Sequence, residues 1–481
     1  MRVGMVADDE ADHGNGCFDE EWPTELDDEL IDEKESYEIE EEDEDGEAEE
    51  ADSFSADFYR CGTDWSCLLP GHGDAKRKLK QANLLEMWGL NEPKPQLLSP
   101  PPPKRLKTVS AMNPRESISP NFGKSNSNST ITPSNRNRPR LCPFYKRIPG
   151  TPFAVDAFRY GSIPGCSAYF LTHFHFDHYG GLTKGWSHGP IYCTRLTARL
   201  LTLCLSVNSS YIHPLDLNTE YIIEGVKVTL LEALHCPGAA LIHFILPTGL
   251  CYLHTGDFRA SKCMQSYYLL LNHKVNVLYL DTTYCNPKYK FPSKEDVLNY
   301  VVRVTKGFLK RQPKTLVVVG TYSIGKECVY LAISKALGVK IYASASRRRV
   351  LHSFCWSDLS SSLCTQAKDT LLHVLPISSL RFETLKDYLN NFRNQYAAVL
   401  AFRPTGWTYS ESVGKQLDQI RPISKGNVTI YGVPYSEHSS FTELKEFVKF
   451  LKPDKIIPTV NVGNPATRDK MQSYFQEWLK G

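Results

Sequence analysis

The 481-residue sequence predicts an α/β protein made of two layered units behind a long N-terminal region that stays disordered. Three observations predict it. Charge and composition separate the first 140 residues from the rest. From Leu141 onward, short β-branched and aromatic runs are bounded by Gly and Pro, the pattern of hairpin-linked strands. After Asp281 strands and helices alternate, which marks a second α/β unit.

The formal net charge of +1 hides the first of these features. Residues 1–50 hold 24 Asp and Glu against only Arg2 and Lys34, which leaves 53 basic and 30 acidic residues in the remainder. Like charges at that density repel, and the segment 1–52 has too little apolar surface to offset the entropy of ordering. It reads as a solvating tail, with the alternative that it folds back on a basic groove as a polyanion mimic. In segment 53–90, Cys61, Cys67 and His72 hint at a zinc module, but five residues separate the cysteines and a fourth ligand is missing. A degenerate or lost finger, or no finger at all, is expected there. Segment 91–141 is rich in Pro, Ser and Asn and reads as a semi-extended linker. Its basic cluster Lys104, Arg105 and Lys107, with Lys76–Lys80 upstream, is compatible with nuclear import.

The predicted strands are F-A-V-D-A-F from 153, A-Y-F-L-T-H from 168, a single run over 221–231, A-L-I-H-F-I-L from 240, C-Y-L-H-T-G-D from 251 and V-L-Y-L-D from 277. Alternation then gives helices near 293–311 and 325–337 among strands at 315–321, 339–343 and 397–402, before a strand from 428, a helix over 441–451 and a strand from 455. The 14 cysteines are scattered without regular spacing, which suits thiols in a reducing compartment. No apolar run approaches the roughly 18 residues of a membrane span, and no secretory pattern opens the chain. Neither a membrane protein nor a secreted one is expected.

The chemistry concentrates in L-T-H-F-H-F-D-H-Y-G-G-L, residues 171–182. Alternation on an extended chain would send His173, His175 and Asp177 to one side, with the following turn bringing His178 round. Four imidazole and carboxylate groups in six positions suit zinc or a similar divalent metal. Further candidates stand at strand ends beside Gly or Pro: His235, Asp257, Asp281 and His438. Together they suffice for two adjacent metals, which activate water near neutral pH and stabilise both oxygens of an in-line phosphoryl displacement.

H-F-H-F-D-H with His235 and Asp257 resembles the metallo-β-lactamase fold, and Asp281, the alternating unit and P-Y-S-E-H-S-S-F resemble its β-CASP nucleic-acid-processing branch. The strings C-P-F-Y-K-R-I-P-G-T, V-D-A-F-R-Y-G, H-C-P-G-A, H-T-G-D-F-R-A, L-D-T-T-Y-C, G-T-Y-S-I-G-K-E and R-P-T-G-W-T narrow the resemblance to DNA interstrand cross-link repair nucleases of the sensitive-to-nitrogen-mustard type, relatives of Artemis and Apollo. The resemblance implies a four-layer αβ/βα sandwich, residues 142–290 and 424–481, with a β-CASP insertion at 291–423. It implies one metal on His173, His175, His235 and Asp257, and a second on Asp177, His178, His438 and the shared Asp257. Asp156 and Asp281 become supporting carboxylates. Val460 stands where DNA-acting members carry Val and RNA-acting members His. The implied protein is a nuclear, monomeric, zinc-dependent 5′→3′ DNA exonuclease, with magnesium able to support activity, that acts on single-stranded or damaged ends alongside repair proteins the sequence does not identify. The competing expectations are an RNA 3′-end-processing endonuclease and a non-catalytic scaffold at damaged DNA.

Two further motifs have competing explanations. Gly320–Glu327 follows a strand and opens a helix, nearly matching a P-loop, but Glu327 stands where Ser or Thr would hold magnesium. An ATPase is not expected. Ser323, Gly325 and Lys326 would instead cradle a DNA phosphate, or simply form a tight turn. Arg347, Arg348 and Arg349 precede His352, Phe354 and Trp356, an interleaving that suits a single-strand track or a solvated surface over core aromatics. Removing residues 1–52 is expected to tighten nonspecific DNA binding at low salt, measured by titration of full and shortened chains. Equal affinities would reduce the tail to solvation.

Overall fold

Short apolar strands build two facing sheets in the computed structural model, which describes residues 141–411 and 416–480. The acidic tail, the Cys61–Cys67 segment and the linker up to residue 140 lie outside the described residues. The first sheet takes its strands in chain order: β1 (Arg147–Ile148), β2 (Phe153–Val155), β3 (Ala168–Phe170), β4 (Ile191–Thr194) and β5 (Ile212–Leu215). Only the β1–β2 pair is antiparallel. In the second, β6 (Glu220–Ile223), β7 (Val226–Glu232), β8 (Ala240–Ile245) and β9 (Cys251–His254) form an antiparallel meander, and β10 (Val277–Leu280) runs parallel beside β9.

The sheets close on an aromatic core. Phe153, Phe170 and Phe244 are fully buried with ring centroids 5.1, 5.3 and 5.9 Å apart, two of the three pairs edge to face. Such pairs add roughly 0.5–1.5 kcal/mol each beyond their burial.

The third sheet is the alternating unit. It contains β11 (Thr315–Thr321), β12 (Ile341–Tyr342), β13 (Leu363–Cys364), β14 (Leu372–Pro376), β15 (Ala398–Pro404), β16 (Ile423–Lys425) and β17 (Val428–Val433). Their order is β13-β12-β14-β11-β15-β17-β16, parallel except for β16. β11 and β15 are buried along their whole length, as expected of parallel strands covered on both faces. The chain then returns through β18 (Lys455–Pro458), which pairs with β10.

The helices used below are α1 (Phe176–Tyr179), α2 (Arg195–Leu205), α3 (Tyr268–Asn272), α4 (Lys294–Arg311), α5 (Glu327–Leu337), α6 (Ala345–His352), α7 (Ser357–Ser362), α8 (Phe382–Asn390), α9 (Phe441–Leu451) and α10 (Pro465–Lys480). α2 covers the first sheet and α10 packs on β18, giving the helix, sheet, sheet, helix layering. α4 has the capping its sequence promises: Ser293 accepts from the Asp296 N–H, acids fill the first turn, and Lys310 and Arg311 fill the last. Among the described residues, no helix is long and apolar enough to cross a membrane, and the cysteines are free thiols.

Three expectations change. The single strand over 221–231 is a hairpin, because Glu224 and Gly225 both take positive φ (47° and 77°) and turn the chain in two residues. β16 and β17 pair into the third sheet, so by strand pairing the alternating unit runs past residue 423 to Val433. The 171–178 segment is not extended: β3 ends at Phe170, and His175 caps the four-residue α1.

Gly256, at the end of β9, sits at φ +52°, and an added Cβ would lie 2.6 Å from the Thr172 Cβ. Gly256→Ala is expected to destabilise the fold by about 2 kcal/mol through overpacking and a left-handed backbone, read by urea unfolding. An unchanged midpoint would show that the β9 end can shift away from Thr172.

Candidate metal centre

Three bare imidazole nitrogens converge at the edge of the two facing sheets. His175 Nε2 lies 3.3 Å from the Ile324 carbonyl and His235 Nδ1 lies 3.0 Å from the Glu437 carbonyl. A carbonyl only accepts, so both of those nitrogens carry hydrogen. The opposite nitrogens, His175 Nδ1 and His235 Nε2, are then lone pairs facing each other at 3.2 Å. His173 follows the same logic. The Thr172 hydroxyl donates its proton to Asp156 Oδ2 at 2.7 Å, so it accepts from His173 Nδ1 at 3.0 Å. His173 Nε2 is left buried with no hydrogen-bond partner, 3.7 Å from Asp257 Oδ2.

Lone pairs facing at that distance repel unless a cation lies between them. Nitrogens at 2.0–2.1 Å from a tetrahedral zinc would be about 3.3 Å apart, so the donor set fits the metal that the chemistry implies. Asp257 Oδ2 completes the set, 3.8 Å from His235 Nε2. The same oxygen reaches His178 Nε2 at 3.3 Å, and Asp177 Oδ2 lies 3.5 Å from that nitrogen. His173, His178 and Asp257 therefore make an adjoining second set with Asp177 beside His178, and His438 joins His235 and Asp257 on a further side.

Burial, then the neighbouring rings, pushes His173 and His235 well below the ordinary imidazole range, and burial lowers His175. All three are neutral at physiological pH, the state in which an imidazole can take a metal. His178 goes the other way. Burial alone would lower it, but Asp257, Asp177 and Asp156 together hold it well above the usual value.

Buried carboxylates orient the outer imidazoles. Asp156 accepts from His178 Nδ1 at 2.7 Å and from the Thr172 N–H at 2.9 Å, and its own backbone is left-handed at φ 51°. Burial would raise its pKa, yet His178 and Lys146 bring it down to about 2. Asp281 holds His438 Nδ1 at 2.8 Å while accepting from the Thr283 N–H and hydroxyl. Both carboxylates therefore act through histidines, and Asp281, a candidate ligand by its strand-end position, stands behind His438 in the supporting place the resemblance implied.

The phosphate-cradle expectation fails on the same kind of accounting. The Gly325 N–H goes to Glu327, and Lys326 gives both its N–H (3.0 Å) and its ammonium to Glu437. Lys326 is buried, and the bonded donors of the loop already meet carboxylates; the Ser323 carbonyl accepts from Arg347. Arg347 also donates to the Tyr322 carbonyl, and Arg348 donates to the Ala343 carbonyl at 2.8 Å. Arg347 and Arg348 thus hold backbone, and Arg349 is the exposed member of the run. Phe354 and Trp356 do reach a groove of about 610 Å³ that also includes His235, Arg199 and Lys294 in its walls. Val460 is bonded through its backbone to the Thr282 hydroxyl, one residue from Asp281.

Four participants have no sequence signal of their own. Thr172 sets the His173 tautomer, the Ile324 carbonyl sets that of His175, the Glu437 carbonyl sets that of His235, and the Cys236 thiol lies buried beside the three histidines. Glu437 stood in a quoted string beside His438 and could have been flagged by adjacency; a backbone carbonyl could not.

Residues 357–464 match the family model described as DNA repair metallo-beta-lactamase. The chain is 62% identical over 443 residues to the DNA cross-link repair protein SNM1 of Arabidopsis thaliana, covering 89% of this chain and 91% of that relative. It is 51% identical over 341 residues to the DNA cross-link repair 1A protein of Homo sapiens, covering 71% of this chain but only 32% of the relative. To the 5′ exonuclease Apollo of Gallus gallus it is 35% identical over 333 residues, 69% of this chain and 65% of the relative.

Asp156→Asn removes the charge that holds His178. It is expected to cost about 3 kcal/mol of stability at neutral pH, as breaking a buried pair does, and to weaken metal binding by about ten- to a hundredfold. The Asp156 contribution is present above the unfolded pKa near 3.9 and vanishes as the pH falls towards about 2. Metal-free wild type and variant should therefore converge in urea stability at acid pH; a constant gap would assign the loss to something other than this carboxylate.

Proposed function

The chain belongs to the DNA cross-link repair family of the metallo-β-lactamase fold, and on that premise we propose that it is a metal-dependent DNA nuclease, a 5′→3′ exonuclease on 5′-phosphorylated ends. The observation that carries this is the convergence of His173, His175 and His235 lone pairs on Asp257, beside His178, whose Nε2 meets both that carboxylate and Asp177. Zinc fits the nitrogen-rich first set; the group around His178, with two carboxylates beside that imidazole, suits zinc or a harder ion such as magnesium. When bound, such a pair supplies an activated water and positive charge for both oxygens of an in-line displacement.

The protein groups divide the remaining work. Asp156 keeps His178 turned towards Asp257, and Asp281 keeps His438 turned towards the site. Burial would lower the His438 pKa, but Asp281 and Asp257 raise it. His438 is thereby suited to giving a proton from Nε2 to the departing sugar oxygen. Phe354 and Trp356 line the groove that starts at His235, and the indole, 38% exposed, offers a face for a base. The substrate is single-stranded or frayed DNA, and the site of action is the nucleus, in line with the basic clusters at 76–80 and 104–107 and with the repair names of the relatives.

End-labelled single-stranded DNA, with and without a 5′ phosphate, should be shortened from the phosphorylated end in zinc or magnesium. Asp257→Ala is expected to bring the rate down to background. Substantial cleavage by a folded Asp257→Ala protein would refute the site, faster cleavage of a matched RNA would favour the RNA-processing alternative, and no cleavage by metal-loaded wild type would favour the scaffold.

A further inference from the structure

The inserted unit touches the metal centre without contributing a ligand from its own third sheet. Three contacts, all from the segments that flank α4 and α5, converge on two of the ligands. The Ile324 carbonyl receives the Nε2 hydrogen of His175. Lys326 binds Glu437, whose carbonyl receives the Nδ1 hydrogen of His235. Lys294, the first residue of α4, donates its ammonium to the Leu234 carbonyl at 2.8 Å, immediately before His235. Leu234 is itself in a left-handed conformation, φ 55°, which its neighbours must hold in place.

The Lys326–Glu437 pair is the centre of this arrangement. Both side chains are about 95% buried, with the ammonium 5.5 Å from the ring centroids of Tyr322 and Tyr435. Burial would raise the Glu437 pKa, but Lys326 and Lys294 keep it low, so the carboxylate stays charged. Lys326 adopts φ 73° directly after Gly325 at φ 93°, which turns two successive N–H groups towards Glu327 and Glu437. A Cβ at position 325 would stand 3.0 Å from Glu437 Oε2, so glycine is what lets the loop approach. A lysine held in a left-handed conformation, paired with a residue adjacent to His438, is over-determined for a simple turn.

We infer that the 324–327 loop of the insertion is the outer support of the three-histidine metal site, with Lys326 a positioning residue that fixes His235 through Glu437. This rests on the metal-site reading proposed above. The consequence is that insertion and metal affinity are coupled: the insertion cannot shift against the core without freeing the tautomers of His175 and His235. Outer partners of this kind are worth about ten- to a hundredfold in metal affinity.

The test uses the full chain and zinc alone. Lys326→Met and the charge-balanced double variant Lys326→Met/Glu437→Gln are compared with wild type for zinc stoichiometry and chelator competition, with cobalt absorption as a report on ligand geometry and circular dichroism as a check of fold. Both variants are expected to lose zinc affinity by about tenfold or more and to change the cobalt spectrum, with kcat falling at near-constant KM and Lys326→Arg recovering part of each. If Lys326→Met alone misfolds from its unpaired carboxylate, the double variant, which buries no net charge, carries the measurement. Wild-type zinc affinity and cobalt spectrum in a folded variant would overturn the positioning role, as would a change confined to KM and its salt dependence, the signature of a phosphate contact. Wild type that binds no zinc would instead overturn the metal reading on which the inference rests.

Discussion

Three imidazole lone pairs aimed at one point are the constraint around which the rest of the structure is arranged. Neutral nitrogens facing each other at 3.2 Å are unfavourable without a cation, so their positions must be imposed by surrounding bonds. Each ring donates its other nitrogen to a different fixed acceptor: the Thr172 hydroxyl, the Ile324 carbonyl or the Glu437 carbonyl. Those acceptors come from three separate parts of the chain, so the tautomers are determined only once the core, the insertion and the 434–440 loop are packed together.

The two-sheet core supplies the rigidity this requires. Phe153, Phe170 and Phe244 lock the sheets face to face, and four strands of those sheets end at the site: β2 before Asp156, β3 before His173, β9 before Asp257 and β10 before Asp281. Ligands at strand ends inherit the precision of the sheet while their side chains stay free to converge. The 434–440 loop is held from both sides. Arg259 donates to the Ser436 carbonyl, the Pro292 carbonyl and Glu443, and the capping box of Ser440 and Glu443 starts α9, with its N-cap two residues after His438.

Charge serves the site in two different ways. The inner imidazoles are kept neutral by burial, whereas His178 and His438 are raised by buried carboxylates. The first group is set up to bind metal with no proton to displace; His438 keeps a proton available, whereas His178 would give up its Nε2 hydrogen to take a metal beside Asp257. The basic excess of the body works at longer range. It favours a polyanion over the whole surface, and it need not come from Lys326, Arg347 or Arg348, whose donors are committed inside the protein.

The sequence by itself determined the donor types and which strands lead to them, though not where β3 ends or that the run over 221–231 is two strands. His173, His175, Asp177, His178, His235, Asp257 and His438 are all legible because metal chemistry needs particular atoms, and Gly, Pro and alternating apolar residues mark the strand ends that carry them. The capped helices α4 and α9 are legible for a similarly local reason: their stop and start signals lie within a turn of the residues they affect. Tertiary structure alone decided which nitrogens of His175 and His235 face the centre, because that depends on carbonyls up to 202 residues away. It also decided that β16 and β17 pair with β15, since strand partners are chosen by sheet packing and not by the strand itself. The same holds for G-T-Y-S-I-G-K-E: its backbone geometry is that of an anion nest, and only the packed fold shows that the anion is the protein's own Glu437.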